Sequence, residues 1–440
     1  MTAVVEHQHQ QSERTHVPSR RDRLAIPFLV LANGISLTGN TLTALVIPWF
    51  VYVTTGSASR TGIVAFASLL PVIVAGMAGG LVVDRVGFKR ASVVSDIFSG
   101  LTVVLIPILH LAGALQFWHL LVLVFAGALL DIPGSAARQS MIPGLSARSG
   151  MSLERANALM QMASAAAMVV GPLSAGFLMA IMSETSVLFL DAGSFAISAL
   201  MVGVLVPWQR AIEKQMADGP TESNVIRESL AGAKLILSDG FLRAVVQVSV
   251  GANLLFSALF AVALPVYAKE VFNDPRVLGL IIAGFGGGSL AGTIIYGVVG
   301  ERLPRLYVLL GGVALMAIGL WSFPWSTWVA LSVIGAAAMG LANGPMNATL
   351  MVVLQERVPE SHLGRVYSSL MAMVQIASPL GVVLAGFILD SVAVTIVLAG
   401  IASLFTLIAL VTFLNPEIRT ISNDVELTPT GRAPANQHVE

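Results

Sequence analysis

Four ionisable side chains of this sequence lie within long apolar stretches or near their ends. They are Asp96, Asp131, Arg138 and Asp191. An ionisable group at membrane depth is a functional hypothesis by default, because a buried charge has a high energetic cost. Low polarity also disfavours the charged form of a carboxylic acid, so an acid in such a place can take up and release a proton. Of these four residues, Asp131 and Asp191 therefore predict proton coupling.

Asp131 is the first candidate for the proton carrier, because it lies a little inward of the middle of its apolar stretch. The alternative is structural, since Asp131 precedes Ile132-Pro133-Gly134 and could satisfy backbone groups freed at a proline kink. Asp191 is the second candidate, with an interhelical contact near the outer end as its alternative. Asp96 and Arg138 lie near the inner ends. We expect them at a cytoplasmic gate, where Asp96 pairs with loop arginines or with Arg138.

Neutral amides form a second group of polar residues near the middle of apolar stretches. They are Asn33, Asn40, Asn253, Asn343 and Asn347. An amide can hydrogen-bond a substrate without burying a charge. The alternative is a structural hydrogen bond between helices, which contributes about 1 kcal/mol. As a set facing one cavity, the five asparagines predict a substrate-binding site.

The composition is that of a polytopic membrane protein. Only 11% of the residues are charged, whereas a soluble domain has about a quarter, and the mean hydropathy is +0.84. The net charge is zero, which gives no case for nucleic-acid binding. Cysteine is absent, which excludes disulfides and thiol chemistry. The sequence predicts no cofactor, no metal and no enzymatic activity. It also has no ATP-binding motif, so transport is expected to draw on an ion gradient or on the substrate's own gradient.

The apolar stretches predict twelve transmembrane helices, because lipid-exposed backbone must satisfy its own hydrogen bonds. Their approximate ranges are 25–52, 61–83, 92–113, 118–138, 156–182, 186–206, 243–267, 277–299, 306–324, 328–350, 364–389 and 393–414. If both termini are cytoplasmic, 21 of the 24 Lys and Arg residues lie on the cytoplasmic side of the membrane. The three on the outer side are Arg60, Lys269 and Arg276. The positive-inside rule therefore predicts cytoplasmic termini.

A repeat relates the two halves of the chain. A shift of 210 positions aligns Trp118 with Trp328, Gly134 with Gly344 and Arg155 with Arg365. Two six-helix halves in parallel repeat predict a binding site between them, near the middle of the membrane. The predicted organisation is a disordered N-tail (1–23), an N-terminal half (24–206), a cytoplasmic loop with an amphipathic helix (207–240), a C-terminal half (241–414) and a disordered C-tail (415–440).

The loop after the second predicted helix carries a recognisable motif. Residues 79–90 read GGLVVDRVGFKR and resemble the G-x-L-x-D-R-x-G-R-K/R signature of the major facilitator superfamily. The resemblance implies an all-α fold of twelve helices with a cytoplasmic gate at this loop, although Phe88 replaces the usual arginine. An aspartate here can accept hydrogen bonds from a helix N-terminus or from arginines. The gate residues so implied are Gly80, Asp84, Arg85, Gly87, Lys89 and Arg90.

A second motif lies in the fifth predicted helix. VVGPLSAGFL (169–178) resembles the G-P-x-x-G-G element of the superfamily's antiporters, with Ala175 in place of one glycine. Gly171, Pro172 and Gly176 would kink this helix and permit close packing. An ordinary proline kink is the alternative.

Short stretches in both halves resemble the macrolide-efflux-like branch of drug:proton antiporters, which includes the Tap-type multidrug efflux pumps. They include IPWFVYVTTGSAS (47–59) and AARQSMIP (136–143). Many relatives have Gly-Asp where this sequence has Gly39-Asn40, which weakens the case for a proton carrier at that position.

The resemblance and the buried acids together predict a proton-driven exporter of amphipathic small molecules such as macrolides or tetracyclines. We expect a monomer in the bacterial inner membrane that works by alternating access. The alternatives are an exporter of one endogenous metabolite such as a siderophore, an uptake symporter of the same fold, and a membrane sensor that does not transport.

Overall fold

The computed structural model describes residues 19–208, 234–325, 327–358 and 360–419, apart from the side chains of residues 72–85, 301, 360 and 361. Most of the predicted tails and most of the predicted central loop, including its amphipathic helix, lie outside these residues.

The described backbone is helical, which confirms the predicted all-α class. The helices are α1 (Arg20–Thr55), α2 (Ala58–Val86), α3 (Phe88–Leu111), α4 (Phe117–Ser149), α5 (Leu153–Ile181), α6 (Glu184–Leu205), α7 (Gly240–Phe272), α8 (Pro275–Val299), α9 (Arg305–Leu320), α10 (Val329–Arg357), α11 (Glu360–Leu389) and α12 (Val394–Leu414). Among the described residues, ten of these helices are long and apolar enough to cross a membrane.

Polar caps and glycines fix where the helices begin and end. Ser19 and Asp22 form a capping box at the start of α1, and the Ser152 and Ser183 side chains cap α5 and α6. Gly87 alone separates α2 from α3, with a φ of 88° that a residue with a Cβ rarely adopts. The chain therefore reverses direction within one residue at this point.

Helix α7 departs from regular α-helical geometry in two places. Residues Leu259–Ala263 and Ala268–Phe272 are π-helical, and they flank a short α-helical segment, Leu264–Tyr267. Pro265 lies in that segment and has no N–H to donate to the preceding turn. Single-turn π segments interrupt the regular hydrogen-bond ladder. The side chains that follow each segment therefore point in different directions from those of an uninterrupted α-helix.

The hydrophobic core shows how the two halves, α1–α6 and α7–α12, are joined. We call the face where α1 begins and α12 ends the terminal face, and the other the opposite face. One large core cluster contains residues of both halves, whereas two separate clusters lie toward the terminal face, one in each half. The halves are therefore packed together toward the opposite face and have separate cores at the terminal face.

Glycines permit the close contacts between the halves. In the α2–α11 pair, a Cβ added at Gly62 would lie 2.8 Å from the Val382 carbonyl oxygen and 3.2 Å from the Gly386 Cα. In the α5–α8 pair, a Cβ at Gly279 would lie 2.9 Å from the Gly176 Cα. Small residues at such positions let helix backbones approach each other in membranes.

Gly279→Val should destabilise the packed arrangement by about 1–3 kcal/mol, because its side chain would collide with the backbone of α5. Gly297→Val in the same helix is the matched control, since nothing lies within 4 Å of a Cβ there. Thermal unfolding in detergent measures both. Equal midpoints for the two variants would contradict the close α5–α8 contact.

Candidate functional site

Arg138 lies at the centre of a buried polar network in the N-terminal half. Its side chain is 0% exposed, on a helix that continues to Ser149, eleven residues beyond the predicted end of that span at residue 138. Its Nε donates to Asn33 Oδ1 (3.0 Å) and its Nη2 to Ser36 Oγ (3.3 Å) on α1. Its Nη1 donates to Asp96 Oδ1 on α3 (3.0 Å). The guanidinium thus joins α4 to α1 and α3.

Asp96 is the fully paired acid of this network. Its Oδ2 accepts a hydrogen bond of 2.7 Å from Ser198 on α6, and its Oδ1 accepts a second from Ser36 (3.2 Å) in addition to that of Arg138. Of the partners considered for Asp96, the described contact is with Arg138. A buried ion pair needs such additional hydrogen bonds to offset the loss of hydration. The predicted gate role of Asp96 and Arg138 stays a prediction.

Asp131 is only partly paired. Its Oδ2 accepts from Asn40 Nδ2 on α1 (2.9 Å), and its Oδ1 lies 4.0 Å from Arg138 Nη2. Oδ1 is buried and has no hydrogen-bond partner. A buried acceptor without a partner is unusual, so this oxygen is available to a proton or to a donor that enters the site.

A cavity of about 340 Å³ adjoins Asp131. Asp131 is the ionisable group among its described lining residues, and the other polar groups are an amide and hydroxyls, while most of the surface is apolar. The polar lining residues are Asn40, Thr43, Ser68, Ser99, Thr102 and Asp131. A predominantly apolar pocket with a few convergent polar groups is the usual form of a small-molecule site. We call it the N-half cavity.

Asp191 is another buried acid; it does not line the N-half cavity but bonds to Thr43, which does. Its side chain is 1% exposed, and it accepts hydrogen bonds from Thr43 on α1 and from Ser194 in its own helix (3.2 Å). Gly39 leaves the room for this approach, since a Cβ there would collide with Asp191 Oδ1. Asp131 and Asp191 therefore contact α1 about one turn apart, through Asn40 and Thr43 respectively.

The asparagines do not converge on one cavity. Asn33 is bonded to Arg138 and Asn40 lines the N-half cavity, whereas Asn253, Asn343 and Asn347 line a second cavity of about 240 Å³ in the other half. We call this the C-half cavity. No ionisable side chain is among the described residues that line it.

The three C-half asparagines differ in how they are held. Asn253 Nδ2 donates to the Val374 carbonyl and to Ser378 Oγ on α11, both at 2.7 Å. Asn347 Nδ2 donates to the Asn343 carbonyl and side-chain oxygen, at 3.0 and 3.1 Å. Asn253 therefore holds α7 against α11, while Asn347 bonds within its own helix and is exposed.

The side chains of Gly80, Asp84 and Arg85 lie outside the described residues, but those after Gly87 are described. Lys89 Nζ donates to the Val206 carbonyl (2.7 Å), and the Arg90 guanidinium lies 4.9 Å from the centre of the Trp208 ring. Cations are favoured near a helix C-terminus, and these two lie at the end of α6. Neither contact, to Val206 or to Trp208, reaches the C-terminal half. The predicted gate function of these residues stays a prediction.

The residues of the Gly-Pro motif pack against two different helices. A Cβ at Gly171 would collide with Thr41 on α1, and a Cβ at Gly176 would lie 3.0 Å from the Gly279 Cα on α8. Pro172 lies inside α5, between these two glycines. The motif therefore contributes both to packing within the N-terminal half and to the interface between halves.

Several residues of the network were not predicted from the sequence. Ser36, Ser198 and Thr43 supply hydroxyl groups to the buried acids. Serine and threonine are common in membrane helices, where a hydroxyl can bond to its own backbone. Only their position opposite an acid on a neighbouring helix would have distinguished them.

The family model of the Major Facilitator Superfamily matches residues 29–273 and 248–437. These matches cover most of the sequence. The chain belongs to the Major Facilitator Superfamily. It is a multi-pass membrane transporter.

Members of the superfamily with curated names are similar over nearly the whole chain. The multidrug efflux pump Tap of Mycolicibacterium fortuitum is 28% identical over 90% of this chain and 96% of its own. Macrolide efflux protein A of Streptococcus pyogenes is 22% identical over 88% and 95%.

Among solved structures, the nucleoside transporter NupG superposes with a TM-score of 0.74 at 12% identity, over 89% of this chain and 98% of that one. This likeness concerns the fold alone. The expected resemblance to superfamily efflux transporters is confirmed.

Arg138→Met should destabilise the protein by about 3–5 kcal/mol, because it leaves the buried Asp96 without its counter-charge. The double variant Arg138→Met/Asp96→Asn should recover part of that loss, since the unpaired charge is then removed. Thermal unfolding in detergent compares the two. A double variant no more stable than the single one would argue against the ion pair as the source of the effect.

Proposed function

We propose that this protein is a proton-driven exporter of amphipathic small molecules in a bacterial inner membrane, with twelve spans and cytoplasmic termini. The observation that carries the proposal is Asp131, an acid with an unpartnered buried oxygen beside an apolar cavity. The named relatives, a multidrug efflux pump and a macrolide efflux protein, support export of drug-like compounds.

The geometry around Asp131 supports proton exchange. Asp96 has its charge matched by Arg138 at 3.0 Å and both oxygens bonded, so it has little capacity for a further proton. Asp131 is farther from the same guanidinium, at 4.0 Å, and has one oxygen free. The two acids therefore share one cation unequally, and Asp131 is the one that a proton can neutralise.

The two cavities support an amphipathic substrate. The N-half cavity offers a carboxylate, an amide and hydroxyls, whereas the C-half cavity offers amides and an apolar wall without an ionisable group among its described lining residues. A substrate with a polar or cationic part and an apolar part matches this division. Competition between the substrate and a proton for Asp131 would couple their opposite movements.

The described state supports alternating access with the binding region open toward the cytoplasm. The halves share one core toward the opposite face and have separate cores at the terminal face. With cytoplasmic termini, this is the inward-facing state, from which an exporter collects its substrate.

The function can be tested with purified protein in liposomes that contain a pH-sensitive dye and carry an imposed pH gradient. Macrolides, tetracyclines, aminoglycosides and siderophores are added one at a time. We expect at least one macrolide or tetracycline to discharge the gradient in a protein-dependent way.

Discharge by siderophores alone would favour an exporter of one metabolite. Protons moving together with the substrate would indicate a symporter. Binding without any proton movement would reject proton coupling.

Asp131→Asn should abolish uphill export, because the amide cannot carry a proton, while downhill exchange of substrate continues. Transport of a labelled substrate identified in the panel, with and without a pH gradient, measures both. Glu154→Gln is the control, since Glu154 is an exposed acid in the first turn of α5. Full uphill export by Asp131→Asn would remove Asp131 from the mechanism.

A further inference from the structure

A carboxylate of the C-terminal half caps a helix of the N-terminal half at the opposite face. Asp390 follows directly after α11, and its Oδ1 accepts hydrogen bonds from the backbone N–H groups of Ala58 (2.7 Å) and Ser59 (3.1 Å). These are the first residues of α2. The Ser57 hydroxyl donates to the same carboxylate, at 3.3 Å to Oδ2.

The N-terminus of α2 is capped in part by the Asp390 carboxylate, which belongs to the other half. The first N–H groups of a helix have no partner within the helix. Ser57 Oγ accepts from the Arg60 N–H (3.2 Å), as an N-cap residue of the same chain segment does. Asp390 accepts from the two N–H groups that Ser57 does not reach, so the cap is complete only while the two halves are together.

The contact is made to a helix N-terminus and not to a neighbouring cation. Burial raises the pKa of Asp390, but hydrogen bonds from Ser59, Ala58 and Ser57 outweigh this effect and place the pKa below its ordinary value. The Arg60 guanidinium, which is near in sequence, lies over the Phe117 ring at 5.7 Å. The stabilisation is therefore that of an anion at the positive end of a helix dipole.

The directions of α2 and α11 make this contact specific to one state. The two helices run antiparallel, with Gly62 against Gly386 next to the Asp390 contact. If the opposite face opens, the start of α2 and the end of α11 must separate, and the carboxylate loses its bonds to Ala58 and Ser59. Asp84, near the other end of α2, lies in the loop motif of the terminal face.

We propose that Asp390 is a positioning residue that holds the opposite face shut and so sets the balance between the two access states. This inference rests on the proposed function only in assuming alternating access. The carboxylate stabilises the closed opposite face through the α2 N-terminus and contributes nothing to the state in which that face is open.

The test measures distance between the halves without any substrate. Because the chain has no cysteine, Ala114→Cys and Thr327→Cys can be spin-labelled at exposed turns before α4 and α10, one in each half. Double electron–electron resonance then gives the distance distribution. In Asp390→Asn, the ratio of separated to packed populations should rise about three- to tenfold, because a largely exposed charge at a helix N-terminus has a moderate effect.

Asp274→Asn is the matched control. Asp274 also caps a helix near the same face, since it accepts from the Arg276 N–H at 2.9 Å, but its helix α8 is in its own half. It should leave the distribution unchanged. Unchanged distances in Asp390→Asn, or an equal shift in both variants, would overturn the proposal.

Folding and transport can be separated from this result. Asparagine has the shape of aspartate, and circular dichroism establishes that each variant is folded before labelling. If no substrate is transported by the wild type but the distances shift as expected, the function fails and the role of Asp390 stands. Transport with unshifted distances gives the reverse conclusion.

Discussion

The N-terminal half is organised around a positive charge that has no access to solvent. Arg138 must find hydrogen-bond acceptors inside the helix bundle, because a guanidinium does not lose its proton in proteins. Its acceptors come from α1 and α3, and α6 contributes through Ser198 and Asp96. Four helices are thereby fixed around one side chain. This rigidity places Asp131 at a defined distance from a cation, which a loosely packed bundle could not do.

A second constraint is that the two halves must pack closely and still separate. Interlocking side chains would hold the halves together in one state. Glycines bring the backbones into direct contact instead, so few side chains must separate when the halves move apart. These glycines are Gly62, Gly176, Gly279 and Gly386. The same helices, α2 with α11 and α5 with α8, carry these contacts. The polar network lies within one half, so a movement of the halves need not break it.

The sequence predicted the helices well and their partners poorly. Hydropathy located the described helices, but it ended the fourth span at Arg138, although Met141, Ile142 and Leu145 continue α4 and pack in the core toward the terminal face. Hydropathy registers polarity along the chain and is insensitive to which side of a helix a residue occupies.

Only part of the site could be predicted, because hydropathy gives no information on which way a side chain points. Asp131 can be singled out because an acid in an apolar stretch is rare. That Asn40 faces Asp131, whereas Asn253 holds α11, depends on how each helix is rotated, which hydropathy along the chain does not predict. The contact of Asp390 is between positions more than 330 apart in sequence, and nothing local indicates it.

The π-helical segments of α7 have a consequence for how that helix can change. Each extra residue in a turn rotates the following side chains by about 100° relative to an uninterrupted α-helix. Beyond the first segment, Tyr267 reaches Ser332 in its own half, and within the second, Glu270 reaches Tyr52 of the other half. Returning the first segment to regular spacing would turn both side chains to different neighbours, while the part of α7 before Leu259 stayed in place. The helix thus has a rotational adjustment built into its hydrogen-bond register, independent of any bending.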